Sequence, residues 1–171
     1  AINDKLADKK ITITAQSTGA SVENMNLINA GEMDLGIAMN NVAANAFDGV
    51  GAFSSPVTNV SSIGVVYNEV YQIVANAATG AKNVDLKGKK VAIGPAGSGT
   101  LGLSQKIFTA AGLDPNKDIQ PQSDSFGDAA TKMQDGHIDA ACNVLAVPAS
   151  SIIEMTTSMK LAYVNISDDI L

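Results

Sequence analysis

The sequence contains no arginine, because all eleven of its basic residues are lysines. Seventeen acidic residues outnumber them, so the formal net charge is −6 and the pI is about 4.5. Proteins that bind nucleic acid need clustered cationic groups to neutralise phosphates, so nucleic acid is not an expected partner. The missing guanidinium groups also exclude a bidentate clamp on a carboxylate, and neutral donors would have to bind any anionic ligand.

Nucleophilic and metal-ligating residues are scarce as well. Cys142 is the single cysteine and His137 the single histidine. An internal disulfide is therefore excluded, and a catalytic triad or a histidine-rich metal site is nearly so. We interpret Cys142 as a small buried hydrophobic residue and His137 as a surface residue in a turn. We expect no catalytic residue, no metal and no cofactor.

Long apolar runs are absent too. No stretch approaches the roughly 18 residues that a membrane helix needs, and no signal-peptide pattern is visible. The chain is nevertheless 46% hydrophobic with a mean hydropathy of +0.13, which is typical of a folded protein. Its 171 residues are enough for one sizeable core or two small lobes.

The most informative stretch is KKVAIGPAGSGTLGLSQKIFTAA, residues 89–111. Residues 91–93 predict a buried strand, residues 94–100 a glycine-rich loop, and the residues from Leu101 onward a helix that ends at Gly112. The first N–H groups of a helix lack intrahelical partners and lie at its positive dipole end. We therefore predict that this loop accepts an anion. A tight turn without a ligand is the alternative.

Three enzyme motifs share features with this loop. Gly97, Gly99 and Gly102 match the GxGxxG pattern of dinucleotide-binding proteins, but residues 94–96 separate the strand from the first glycine, and no ribose-binding acid stands at a convincing place. A phosphate-binding P-loop is excluded because no lysine follows Gly99. Ser98 lacks the flanking pattern of a nucleophile elbow.

Periodicity along the rest of the chain predicts further elements. The predicted strands are residues 11–15, 34–39, 62–67, 70–75, 118–122 and 161–166, and residues 136–142 lead into another. The predicted helices are residues 22–30 and 126–134 and a last one from Pro148. Residues 45–58 are predicted to be a surface loop. Residues 30–36 and 135–141 share a pattern of helix-ending glycine, aspartate and small-residue strand, which suggests two similar lobes.

Three stretches resemble one family of transport proteins. The segments AQSTGASVENMNLINAGEMDLGIAMNN, VDLKGKKVAIGPAGSGT and MQDGHIDAACNVLAVPA are similar to the solute receptors of TRAP transporters of the TAXI type, in the family's order. The resemblance implies the type II periplasmic-binding-protein fold, with two α/β lobes and a ligand cleft between them. Residues 1–70 would form an incomplete lobe I, and residues 71–171 would form lobe II without its return to lobe I, so both ends look cut.

The resemblance also implies a function. We expect a monomeric, periplasmic solute-binding protein, not an enzyme, that captures a small solute for the membrane permease subunits of a TRAP transporter. The solute would be an amino acid such as glutamate or glutamine, or another carboxylate. The alternative is a small α/β enzyme acting on an anionic metabolite, which would need an acid–base pair that the sequence does not display.

Candidate ligand-binding residues follow from the carboxyl ends of the predicted strands, where open α/β sheets bind ligands. They are Ser17, Thr18, Ser21, Asn40, Tyr67, Glu69, Gly97, Ser98, Gly99, Thr100, Asn143 and Pro148. We expect the segment from Gly97 to Thr100 to bind a carboxylate and Glu69 to pair with an ammonium group. Tyr67 would pack on the ligand, and polar side chains such as Asn40 would orient it.

Overall fold

A computed structural model describes residues 2–170. The helices are α1 (Ile2–Leu6), α2 (Ser21–Ala30), α3 (Asn40–Asp48), α4 (Gly99–Ala110), α5 (Phe126–Gln134) and α6 (Ser150–Ser158), with short 3-10 turns at Ala7–Lys9 and Ala77–Thr79. The strands are β1 (Val70–Asn76), β2 (Lys90–Ala92), β3 (Gln120–Gln122), β4 (Ala140–Leu145) and β5 (Leu161–Tyr163). Over the described residues, no helix combines the length and apolarity that crossing a bilayer demands.

The five strands form one sheet in the order β3-β2-β4-β1-β5. Strand β2 runs parallel to β3 and β4, whereas β1 runs antiparallel to β4 and β5. Val70 at the start of β1 is opposite Leu145 at the end of β4. The carboxyl ends of β2, β3 and β4 and the start of β1 therefore lie along one border of the sheet, which we call the carboxyl edge.

Helices cover both faces of the sheet because its strands are apolar on both sides. Helix α4 packs on one face through Ile107 and Phe108, against a buried cluster that includes Ile73, Val91 and Cys142. Helices α5 and α6 pack on the other face, against a cluster that includes Val74 and Ala141. Burial of a side chain as large as Phe108, which has 0% exposure, contributes about 1.5–3 kcal/mol. This layered core holds the carboxyl edge in place.

A third buried cluster lies outside the sheet, in the first third of the chain. It consists of Met25, Val42, Ala46, Phe53 and Val57, and it joins α2 to α3. The prediction of a surface loop over residues 45–58 was wrong in its first part, since α3 continues to Asp48. The sequence pattern does not predict α3, because three of its nine residues are asparagine, a weak helix former. The helix forms because tertiary packing buries one of its faces.

Three predicted strands, residues 11–15, 34–39 and 62–67, are not strands in the described structure. Their apolar side chains are largely solvent-exposed: Ile63 is 84% and Val65 is 86% exposed. Alternation of apolar and polar residues predicts which face a strand would bury, but a strand also needs a neighbouring strand to supply hydrogen bonds. No such ladder forms along these segments within residues 2–170, and they have no regular secondary structure.

A buried polar group joins β1, α4 and β4 beneath the carboxyl edge. The Tyr71 hydroxyl donates a hydrogen bond to Oγ of Ser104 at 3.0 Å, and the Cys142 thiol contacts both side chains. Ser104 is 0% exposed and Cys142 is 2% exposed. Burial raises the pKa of the Cys142 thiol to about 11 and raises the pKa of Tyr71 above its ordinary value. The interpretation of Cys142 as a buried residue is confirmed.

We expect the Cys142 thiol to be unreactive in the folded protein. A thiol-specific chromogenic reagent at pH 8 should label the native chain only at the rate of its opening, and the urea-unfolded chain immediately. The unfolded thiol ionises near pH 9 and the folded thiol near pH 11. The folded state therefore loses stability as the pH rises through this window, by about 2–3 kcal/mol from this group. Cys142→Ala should remove that share of the pH dependence. Labelling of native and unfolded chains at equal rates would contradict the buried position.

Candidate functional site

The glycine-rich loop joins β2 to α4 at the carboxyl edge. Gly94 has φ +107° and Gly97 has φ +73°, both in the region that favours glycine. The N–H of Ser98 donates to the carbonyl of Pro95 at 3.0 Å, which closes the turn. Ser98 is the N-cap of α4, and its Oγ accepts a hydrogen bond from the N–H of Leu101 at 3.1 Å. The hydroxyl proton of Ser98 remains available to donate to a ligand.

The N-terminal ends of three helices meet at this loop. The N–H of Val22, in the first turn of α2, donates to the carbonyl of Gly97 at 3.2 Å. The Oγ of Ser21 accepts a hydrogen bond at 3.1 Å from the N–H of Met39, the N-cap of α3. The Met39 side chain lies against Gly99, the first residue of α4. Each helix carries about half a positive charge at its N-terminus, and this positive potential is partly offset by the Glu23 carboxylate in the first turn of α2.

Unpaired backbone donors accompany this potential. Among residues 2–170, no acceptor is hydrogen-bonded to the N–H groups of Gly99 or Thr100, although both residues are buried. Neither Ala20 nor Met39, the N-caps of α2 and α3, supplies a capping side chain. Buried backbone donors are normally satisfied, and donors at a helix N-terminus bind carboxylate, sulfonate or phosphate groups. The arrangement is therefore suited to a small anion.

The structure brings half of the predicted site residues together. Ser21, Asn40 and the segment from Gly97 to Thr100 lie at the meeting point of the three helix ends. Asn40 is exposed, and its Oδ1 accepts a hydrogen bond at 2.8 Å from the N–H of Asn41. Thr18 lies in the loop before α2 and is held there, since its hydroxyl donates to Oδ1 of Asn24 at 2.6 Å. Ser17 is exposed in the same loop.

Tyr67, Glu69 and Pro148 lie elsewhere along the carboxyl edge. Tyr67 and Glu69 precede β1, and the Tyr67 hydroxyl lies close to the Glu69 carboxylate. Partial desolvation raises the pKa of Glu69, and the Tyr67 hydroxyl opposes this effect. Pro148 is exposed in the loop between β4 and α6. These three residues lie at the rim of the sheet, and within the described residues no hydrogen bond joins them to the meeting point of the helix ends.

Asn143 is buried within the sheet, two residues before the end of β4. It is 2% exposed, and its Nδ2 donates to the carbonyl of Ala141 at 3.1 Å. Its cross-strand neighbour is Gln72, whose Nε2 is buried without a hydrogen-bond partner in the described chain. Gln72 was not predicted as a site residue, because its place on the carboxyl-edge side of β1 depends on the register between β1 and β4.

Two residues at the meeting point were also missed. Neither Val22 nor Met39 was predicted as a ligand-site residue, and both pack partly on the α2–α3 cluster. In the structure they also contact the glycine-rich loop, through Gly97 and Gly99 respectively. The sequence offers one signal for Met39, which is its position directly before Asn40, a predicted ligand-binding residue at the end of a predicted strand.

A cavity of about 380 Å³ lies between α2 and the glycine-rich loop. Val22, Glu23 and Glu32 line one side of this cavity, and Ala96 and Gly97 line the other. The two carboxylates make it better suited to a cationic or neutral group than to an anion. Among the described residues, no group of three or more His, Cys, Asp or Glu side chains is placed to hold a metal ion.

The sequence matches the model of the NMT1-like family over residues 1–171. The chain belongs to the NMT1-like family. Solved structures similar to it include the periplasmic aliphatic sulphonate binding protein SsuA from Escherichia coli, with a TM-score of 0.56 and 23% identity over 94% of this chain and 53% of that protein. The alkanesulfonate-binding protein SsuA from Xanthomonas axonopodis pv. citri, bound to MOPS, has a TM-score of 0.59 and 22% identity over 95% of this chain and 55% of that protein.

A third similar structure is the substrate binding protein of an amino acid ABC transporter. Its TM-score is 0.61 and its identity 17%, over 99% of this chain and 65% of that protein. Identities this low show the fold alone, and they confirm the predicted α/β fold of periplasmic binding proteins. This NMT1-like chain spans a little over half the length of the two SsuA proteins.

Proposed function

We propose that this chain is part of an extracytoplasmic solute-binding receptor that captures a small anionic solute for a membrane transporter. The observation that supports this most is the meeting of the N-termini of α2, α3 and α4, where the N–H groups of Gly99 and Thr100 have no acceptor among the described residues. Membership of the NMT1-like family and the fold shared with sulfonate-binding and amino-acid-binding proteins agree with it. The chain acts by binding, not by catalysis, and in the periplasm.

The solute in this proposal is an amino acid such as glutamate or glutamine, or another small carboxylate. Its anionic group accepts hydrogen bonds from the N–H groups of Gly99 and Thr100 and from the Ser98 hydroxyl. Each contact at a helix N-terminus is worth about 0.3–1 kcal/mol when exposed and up to ~2 kcal/mol when partly buried. Glu69 remains the proposed partner of an ammonium group, and Tyr67 the residue that packs on the ligand.

Two lobes with a cleft between them remain part of the proposal, with residues 1–70 in lobe I and residues 71–171 in lobe II. The separate α2–α3 cluster supports the division, since its buried residues come from the first 57 positions and none from the sheet. The contacts of Val22 with Gly97 and of Met39 with Gly99 would then cross the cleft. A monomer with one such cleft is the proposed functional unit.

The transporter partner is proposed from the sequence resemblance, which favours the permease subunits of a TRAP transporter of the TAXI type. An ABC transporter is the second candidate, since a solved structure of this fold is named for an amino acid ABC transporter. Co-purification of the chain with detergent-solubilised permease subunits of each class would decide between them. Stable association with ABC subunits alone would overturn the TRAP proposal.

A thermal-shift screen tests the binding function. Ligand at about one hundred times its Kd should stabilise the chain by about 2.7 kcal/mol. For a chain of this size that corresponds to a rise in Tm of roughly 5–10 °C. The panel contains L-glutamate, L-glutamine, propionate and ethanesulfonate, with uncharged propionamide as the control. We expect a shift with at least one anion and none with propionamide. Equal shifts for propionate and propionamide, or no shift with any anion, would contradict the proposal.

A further inference from the structure

The side chain of Met39 covers the first turn of α4. A Cβ built on Gly99 would lie in severe overlap with Sδ of Met39 and 2.9 Å from its Cε. Oδ1 of Asn41 would lie 3.1 Å from the same point. The thioether therefore lies directly on Gly99, the first residue of α4, whose own N–H has no acceptor in the described chain.

The backbone of Met39 is fixed, whereas its side chain is adaptable. Its N–H donates to Oγ of Ser21, and its carbonyl accepts from the N–H of Ala43 at 3.0 Å. The side chain is partly exposed and packs at the border of the α2–α3 cluster, not inside it. Methionine has three rotatable bonds and a polarisable sulfur, so it can move aside and repack around different ligands at little cost.

We propose that Met39 is a specificity-determining residue of the anion site, and that its thioether limits the size of the anionic group that reaches α4. This inference rests on the proposed function, since it concerns the same site. A planar carboxylate needs less room above Gly99 than a tetrahedral sulfonate. In the wild-type chain Met39 favours the carboxylate, and shortening its side chain admits the sulfonate.

The contact with Gly99 gives an independent way to change the same space. Gly99→Ala places a methyl group where the Met39 thioether lies, so the thioether must move, and we expect binding of both anions to weaken. In the double variant Met39→Ala/Gly99→Ala, the methyl group of residue 99 meets no sulfur, and part of the affinity returns. Alanine is an acceptable first residue of a helix, and Gly99 is not among the glycines with positive φ, so the fold should persist.

The experiment is isothermal titration of matched probes that differ in the anionic group alone. The probes are taurine against β-alanine and ethanesulfonate against propionate. For Met39→Ala we expect the ratio of sulfonate to carboxylate affinity to rise roughly tenfold over wild type, as for other pockets that discriminate small size differences. Met39→Leu, which conserves volume, should keep the wild-type ratio. Met33→Ala serves as control, because Met33 is also partly exposed but packs near Gly36.

The outcomes separate the two proposals. If the wild type binds these anions and Met39→Ala leaves the ratio unchanged, the role of Met39 is overturned and the anion-binding function stands. A non-additive recovery in the double variant supports the role of Met39 even if Met39→Ala alone is poorly folded. If neither the wild type nor any variant binds an anion, the anion site itself is overturned, and the role of Met39 with it.

Discussion

Replacement of Gly94 by alanine is expected to lower the free energy of unfolding by roughly 3 kcal/mol or more and to abolish ligand binding. Gly94 has φ +107°, which an L-residue with a side chain adopts only under strain. A Cβ there would lie 2.8 Å from Cβ and Cγ2 of Thr100 and 2.9 Å from the backbone N of Leu101. Thr100 is 1% exposed and Leu101 N is main chain, so neither can move without displacing the start of α4.

The matched control for this prediction lies eight residues further along the chain, in the helix that follows the loop. Gly102 lies within α4, and a Cβ on it meets no atom within 4 Å. Gly102→Ala should therefore raise the unfolding free energy by about 0.5–1 kcal/mol through helix propensity. Urea denaturation followed by circular dichroism measures both changes. Similar small effects of the two substitutions would show that the conformation of the loop at Gly94 does not fix the position of the first turn of α4.

Replacement of Ser98 by aspartate is expected to keep the fold and to remove anion binding. Aspartate is as good an N-cap as serine, so the hydrogen bond to the N–H of Leu101 is retained. Its charge interacts favourably with the dipole of α4, so stability should stay equal or rise by a few tenths of a kcal/mol. The same carboxylate occupies the anion site and repels other anions. The affinity for propionate or ethanesulfonate should therefore fall by about 100-fold or more.

The neutral counterpart, Ser98→Asn, controls for the shape of the new side chain. Asparagine also caps helices well, but it adds no charge. We expect it to bind anions within about tenfold of the wild-type affinity, since the N–H donors of Gly99 and Thr100 are unchanged. Titration calorimetry at low ionic strength measures both variants. Equal affinities for Ser98→Asp and Ser98→Asn would show that the anion binds away from α4.

The part of the fold that the sequence predicts best is the sheet with its crossover helices. Residues 126–134 were predicted as a helix, and α5 has the same bounds. Residues 91–93 and the helix after the glycine-rich loop correspond to β2 and α4 within two residues. These elements have periodicity and stop signals that agree with one another. They also have partners nearby in sequence, because β2, β3 and β4 are successive strands in parallel pairs.

The first seventy residues were predicted less well. Strands at residues 34–39 and 62–67 need partner strands that a local pattern does not reveal, and the described chain offers none. Helix α3 is stabilised by burial of Val42 and Ala46 in the α2–α3 cluster. Its asparagine-rich sequence does not predict this burial. Tertiary packing decides whether each of these segments forms a strand, a helix or neither.

The candidate site shows the same limit. The loop from Gly97 to Thr100 was recognised because glycines, a strand and a helix start have local signals. The proposed role of Met39 depends on its contact with Gly99, sixty residues further along the chain. No local sequence pattern predicts a contact between residues that far apart. Asn143 was chosen at a predicted strand end, but β4 continues to Leu145, so its side chain is buried next to Gln72.

The measurement that tests the central claim most directly is a two-dimensional ¹⁵N–¹H spectrum of the chain during titration with ethanesulfonate and propionate. If an anion binds where the three helix ends meet, the backbone amides of Gly99 and Thr100 move downfield with saturation as they gain an acceptor. The amides of Ser21 and Val22 shift with the same Kd, and propionamide leaves all four unchanged. Saturable shifts confined to other residues, with Gly99 and Thr100 unmoved, would contradict the account.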